Sequence, residues 1–297
     1  MRTERKALRI KEYISRLWSS HATGVSSADN LGNFSHEKAS LNAAEGAMLG
    51  VCVGDAAGAP LEFPRSARIS EEKVHQAMQM LGGGVFQAVG PGQGTDDTEL
   101  MLCLAQSLLT SKPPSLPLDE IAHAYCDWAS NGPLDIGSTC EKAFATRFKS
   151  CPPQLSQAAS CAAIAKQWSS RSETNDALNR VVPLAIWAWR ENSSVIAHLA
   201  GLEASLSHPS PVVKDCNAAY CIAVAHLLKQ PSCAETAFQA ALNWAKAEAG
   251  PEVVTWLEQA QDVHYCPCVN TRAGWIKWGF LYAFRHLHLS SSFEAAR

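Results

Sequence analysis

Apolar residues return every three or four positions along most of this chain. Leu118, Ile121, Ala122, Tyr125 and Ala129 form one such series, with Pro117 suited to a first turn and Asn131-Gly132-Pro133 suited to end it. Ala234, Ala237, Phe238, Ala241, Leu242 and Ala245 form a second, closed by Gly250-Pro251. Val212 to Leu228 and Trp275 to Leu287 carry the same period. Met101, Leu104, Ala105 and Leu108 predict a further helix that begins near Thr95 or Asp96. No series of period-two runs with turn signals between them accompanies these stripes. The pattern predicts an all-α protein with one folded domain. Residues 20–40 are rich in Ser, Asn and Gly and read as a linker. The expected organisation is an N-terminal extension over 1–40 and a helical domain over 41–297.

Composition narrows the class. The 297 residues suffice for a sizeable core, and a net charge of −3 gives no strongly basic face for nucleic acid. The 11 cysteines are odd in number and scattered, and Cys52, Cys103, Cys126 and Cys221 lie inside apolar runs. Reduced, buried thiols of a cytoplasmic protein are the expectation. No apolar stretch is long enough to span a bilayer, so no membrane partner is expected. The first 20 residues set Arg2, Arg5, Lys6, Arg9, Lys11 and Arg16 beside Ile10, Tyr13, Ile14, Leu17 and Trp18. Organelle-targeting peptides share that Arg-rich amphipathic character, but Glu4 and Glu12 oppose the reading, and an extra solvated helix is expected. Trp168, Trp187, Trp189, Trp275 and Trp278 fall at helical positions and read as core.

The segment GPGQGTDDTELML places Thr95, Asp96 and Asp97 where a helix starts, after a glycine-rich stretch (82–94) that holds six glycines. Adjacent carboxylates repel each other. Two readings follow: Asp96 and Glu99 form a capping pair, or Thr95, Asp96 and Asp97 hold a hard divalent cation through oxygen. Upstream, GAMLGVCVGDAAGAPLEF spaces Gly46, Gly50, Gly54 and Gly58 every four residues, predicting a smooth face for close helix packing. Asp55 lies within that face and Glu62 follows the Gly-Ala-Pro break. His264, Cys266 and Cys268 form an H-x-C-x-C pattern tighter than a zinc knuckle and read as a loop.

Taken in order, these motifs resemble the ADP-ribosylglycohydrolase family, which includes dinitrogenase reductase-activating glycohydrolases and ADP-ribosylarginine hydrolases. GAMLGVCVGDAAGAPLEF is similar to its first helix, and GQGTDDTELML to its Thr-Asp-Asp-Thr motif. PLDIGSTC, TNDALNRVVPLAIWAW and LSHPSPVVKDCNAAY are similar to later family segments, and the resemblance runs from about residue 42 onward. It implies an orthogonal all-helical bundle around Mg²⁺ ions, Mn²⁺ in some members. It also implies hydrolysis at ribose C1″ of an ADP-ribosyl group carried by a protein side chain or a small molecule. Carried onto this chain, the resemblance makes Thr95, Asp96 and Asp97 metal ligands. Glu62 and Asp97 become the catalytic carboxylates, Glu62 positioning or deprotonating water. Asp135, Gly137, Asn175, Arg180 and His208 fall to the substrate, and Asp55 to structure.

The chain departs from the family pattern in three places. Asp176 stands where glycine is usual, Asn179 where methionine is usual, and no Asp-x-Asp-Thr occurs among the 297 residues. The expectation is therefore a C-terminally shortened bundle, either a metal-dependent hydrolase or an ADP-ribose-binding scaffold without turnover.

Overall fold

The computed structural model describes residues 12–16, 30–62, 69–84, 89–145, 155–267, 269 and 272–289. The regular elements among them are helices. They run α1 (12–16), α2 (Asn30–Gly58), a 3₁₀ turn (Ala59–Leu61), α3 (Glu71–Met78), α4 (Asp96–Leu108), α5 (Leu118–Ser130), α6 (Ser138–Phe144) and α7 (Gln157–Trp168). They continue as α8 (Asp176–Arg180), α9 (Val182–Trp187), α10 (Ser193–Ala204), α11 (Pro211–Lys229), α12 (Ala234–Glu248), α13 (Pro251–Gln261) and α14 (Ile276–Leu289). An isolated antiparallel bridge joins Thr174 to Trp275. The all-α expectation holds.

Helix α11 organises the core because it is apolar on two faces. Cys221, Ile222, Ala225 and Leu228 enter a cluster with Leu104, Tyr125, Phe144 and Trp187. Val213, Cys216, Ala219 and Ala223 enter a second with Phe238, Trp256, Phe280 and Phe284. Phe238 meets Phe284 edge-on at 5.5 Å, the arrangement ring quadrupoles prefer. A helix buried on both sides in this way ties the two clusters into one body.

Several sequence expectations need correction. Helix α2 begins at Asn30, inside the segment read as linker. Once the alanine-rich stretch after Leu41 has nucleated, each added residue gains a hydrogen bond, so extension into poor helix formers proceeds. Ile14 of α1 is fully buried in the first cluster, so that part of the extension docks rather than floats. Trp168, expected in the core, is 58% exposed at the end of α7, and Trp275 and Trp278 are half-buried. Cys52 and Cys103 are half-buried, whereas Cys126 and Cys221 are buried as expected.

The glycine face of α2 packs closely against none of the described residues. A methyl group added at Gly46, Gly50, Gly54 or Gly58 would meet nothing within 4 Å. The helix docks instead by the face carrying Ala44, Met48 and Ala56. Residues 1–11 and 17–29, with Cys268 of the H-x-C-x-C pattern, lie outside the described residues. Among the described residues no helix is long and apolar enough to cross a membrane.

Candidate active site

The first turn of α4 is capped from another helix. Asp55 of α2 accepts from the backbone N–H of Thr95 at 2.8 Å and of Thr98 at 3.1 Å. It also accepts from the hydroxyl of Thr95 at 2.8 Å and from that of Thr98. One carboxylate thereby satisfies amides that a helix start leaves unpaired, and its charge suits the positive end of the dipole. A Cβ on Gly94 would strike both the Asp55 carboxylate and the Thr98 hydroxyl, so the approach requires glycine.

This arrangement removes the capping reading of the paired acids. Glu99 does not reach back as a cap: it accepts from the indole N–H of Trp128 at 2.9 Å. Asp96 and Asp97 are released from capping and point elsewhere. Asp96 accepts from the backbone N–H of Gly137 at 3.3 Å, which draws the Pro133–Gly137 loop onto α4. Asp97 accepts from the side-chain amide of Asn179 on α8 at 2.8 Å.

The carboxylates crowd one another, and their protonation reflects it. Burial first, then the charges of Asp135 and Asp176, push Asp96 up to about 7. Asp97 is held well above the usual range by burial and by the charge of Asp96, although the amide of Asn179 acts the other way. Burial, then Asp135, Asp55 and Asp176, raise Glu62, which stands on an exposed edge. Asp135 is raised by burial foremost, and the charges of Asp176 and Asp55 add to this. Asp176 goes the other way. Burial alone would raise it, but the hydrogen bond and charge of His208, with the hydroxyl of Thr174, hold it below the usual range.

A cavity of about 270 Å³ opens beside α4. Glu62, Asp97, Asp55 and Asn179 give it a polar side, and Leu178, Tyr220 and Ala283 an apolar one, with the Gly54 and Gly58 faces between. Glu62 and Asp97 are thus brought into one cavity. Asp96, Asp135 and Gly137 are not in its lining: Asp96 holds the Gly137 amide, and Asp135 lies near enough to Glu62 and Asp96 for its charge to raise both. Asn175 is half-buried at the start of α8, its N–H donating to the carbonyl of Gly274.

Two expected substrate residues face the core instead. Arg180 is fully buried: its Nε donates to Glu203 at 2.7 Å, its Nη2 to Ser207 at 2.9 Å, and its guanidinium lies over the Tyr125 ring at 4.8 Å. The buried carboxylate of Glu203, which also accepts from the Tyr125 hydroxyl at 2.7 Å, draws the guanidinium inward. His208 is also fully buried, with Ser207 at 2.8 Å on Nδ1, Thr174 at 2.8 Å on Nε2 and the Asp176 carboxylate at 3.4 Å. The Asp176 carboxylate is therefore turned inward against an imidazole. Sequence reasoning missed the contact of Asn179 with Asp97. The available signal was spacing: Asp176 and Asn179 are one turn apart on α8, facing the acidic turn of α4.

The fold and this acidic, helix-capped cavity fit a described enzyme family. A family model for ADP-ribosylglycohydrolase matches residues 36–296, and the chain belongs to that family. It is 39% identical over 98 residues to the ADP-ribosyl-[dinitrogen reductase] glycohydrolase of Rhodospirillum rubrum, covering 33% of this chain and 32% of that one. It is 36% identical over 118 residues to the ADP-ribosylarginine hydrolase Tri1 of Serratia proteamaculans (strain 568), covering 38% of this chain and 30% of the relative. The matched stretches thus span about a third of these relatives. A solved ADP-ribosylglycohydrolase-related protein complex shares the fold, with a TM-score of 0.67 at 21% identity over 87% of this chain and 80% of that one.

Proposed function

We propose that this protein is a metal-dependent hydrolase that removes ADP-ribose from modified protein side chains by cleaving the glycosidic bond at ribose C1″. The observation that carries the reading is the pair Glu62 and Asp97 in one cavity, with Asp96 and Asp135 close enough for their charges to add to the raised proton affinities of the group. The matching stretches of the Rhodospirillum and Serratia relatives support the substrate class.

The donor chemistry fits a hard divalent cation. Thr95 gives its hydroxyl proton to Asp55, which leaves its lone pairs for a cation, and Asp96 and Asp97 offer carboxylate oxygen. Among the described residues no group of three or more His, Cys, Asp and Glu converges on one point, so Thr95, Asp96 and Asp97 would hold Mg²⁺ or Mn²⁺ with water completing the shell. Such an ion supplies Lewis-acid stabilisation to ribose oxygens. The chain's own groups do the rest. Glu62, raised and at the cavity edge, takes a proton from water aimed at C1″. Asn179 fixes the carboxylate of Asp97, and Leu178, Tyr220 and Ala283 exclude solvent from one side. The Pro133–Gly137 loop, held by Asp96, presents Asp135 beside the ribose.

The scaffold reading has one supporting observation. Among the described residues no group of three or more His, Cys, Asp and Glu is placed to hold a metal ion. The decisive experiment incubates the full chain with an ADP-ribosylarginine protein and Mg²⁺. Release of ADP-ribose, lost with chelator and in Asp96→Ala, supports the hydrolase. Binding of ADP-ribose without release, indifferent to chelator, supports the scaffold.

A further inference from the structure

A pair of thiols outside the acidic cavity is placed for covalent chemistry. Cys126 of α5 and Cys161 of α7 are both buried, and their sulfurs lie 3.6 Å apart. The side-chain amide of Gln157, one turn before Cys161, donates to Cys126 Sγ at 3.1 Å and to Cys161 Sγ at 3.6 Å. The one amide thus holds the two sulfurs side by side. A disulfide needs the sulfurs about 2.05 Å apart, so an approach of about 1.5 Å suffices. The first turn of α7 gives both the movement and the access. Ser156 and Ala159 there are exposed and Gln157 is half-buried; the turn is held by Ser156 on the Ala159 N–H and by Asp119 on the Ala158 N–H, and its local opening would be the route for a small oxidant.

The position of the pair gives the bond a consequence. Between Cys126 and Cys161 lie the Pro133–Gly137 loop, with Asp135 and the Gly137 amide that Asp96 grips, and helix α6. We propose that Cys126 and Cys161 form a disulfide when the protein meets a peroxide, stapling both ends of the segment that carries this loop. The attacking sulfur forms an S–O bond as the O–O bond breaks, and the departing hydroxide takes the thiol proton as water, leaving a sulfenic acid. The second sulfur then attacks the first: the S–S bond forms, the S–O bond breaks and a second water leaves. Two thiols are oxidised and one peroxide is reduced to two waters.

The test treats the folded full chain with graded hydrogen peroxide, then denatures it in N-ethylmaleimide and maps the peptides by mass. Exposed Cys233 and Cys266 report the oxidant dose. The expected result is a Cys126–Cys161 cross-linked peptide, reversed by dithiothreitol, at doses that also consume Cys233 and Cys266. In Cys161→Ser the cross-link is absent and Cys126 is recovered as a single modified peptide. The oxidised wild type melts several degrees above the reduced form, and Cys161→Ser shows no such rise. Recovery of both Cys126 and Cys161 as maleimide adducts after Cys233 and Cys266 are spent overturns the proposal. A cross-link without a rise in melting temperature overturns the staple.

Discussion

Asp55 holds Thr95 through two contacts of 2.8 Å, one from the backbone N–H and one from the hydroxyl, although 40 positions separate the residues. With the N–H of Thr98 also bound, this one side chain caps α4 and fastens it to α2. Replacing Asp55 with alanine leaves those donors unpaired. The expected loss is about 2 kcal/mol, since caps and charged hydrogen bonds each contribute on that scale. Urea unfolding measures it as a lower midpoint, and Asp55→Asn should fall between the two, because an amide keeps one acceptor but not the charge.

Asp96 predicts a pH dependence of opposite sign to that of an ordinary salt-bridged acid. Its proton is lost near 7 in the folded chain and near about 4 in the unfolded one. Its contribution to stability is fully present below about pH 4 and disappears as pH rises through 7. In chelator, Asp96→Asn should therefore unfold at higher urea than wild type at about pH 8, by about 1 kcal/mol or more, and the gap should close toward pH 4. Mg²⁺ added at the higher pH should stabilise wild type and leave Asp96→Asn nearly unmoved. Asp176 has the other sign: its contribution is lost only as pH falls below the normal carboxylate range.

Gly137 and Asp176 interlock. A Cβ at residue 137 would run into the Asp176 carboxylate. Gly137→Ala alone should destabilise by about 1–3 kcal/mol, in the manner of an overpacked core. Asp176→Gly removes the obstacle and also the partner of His208. The double variant should lose less than the sum of the two, and a double-mutant cycle in urea reads the coupling. Strict additivity would mean that the two residues do not touch.

Arg180 separates a structural role from a binding one. With its guanidinium committed to Glu203 and Ser207 in the core, Arg180→Ala strands a buried carboxylate. A loss of about 3–5 kcal/mol is expected, and lysine, which lacks the planar fork, should not restore it. A stable Arg180→Ala protein with weakened ADP-ribose affinity, measured by calorimetry, would return the residue to the cleft.

The helices were legible because their signals are local. The stripe from Met101 to Leu108 and the Pro117 and Asn131-Gly132 boundaries place α4 and α5 to within a residue or two. Thr95, Asp96 and Asp97 were legible as a helix start for the same reason. Arg180 was not, because its burial is set by Glu203 on another helix, and nothing near residue 180 announces that partner. His208 was misplaced by a similar logic, since Asp176 and Thr174 capture it from a distant segment. The capping of α4 fell between: Thr95 suggested a cap, but the oxygen that does the work belongs to Asp55.

The bare ridge along α2 has an energetic meaning of its own. At Gly46, Gly50 and Gly54 an added methyl group would meet nothing within 4 Å, and there glycine forfeits about 1 kcal/mol per residue against alanine. Alanine at Gly46 and Gly50, which lie away from the cavity, should therefore stiffen the helix and slow its amide exchange with heavy water. The rod that carries Asp55 is spun from pliable material over much of its length, so the grip on Thr95 is what keeps its far end in register.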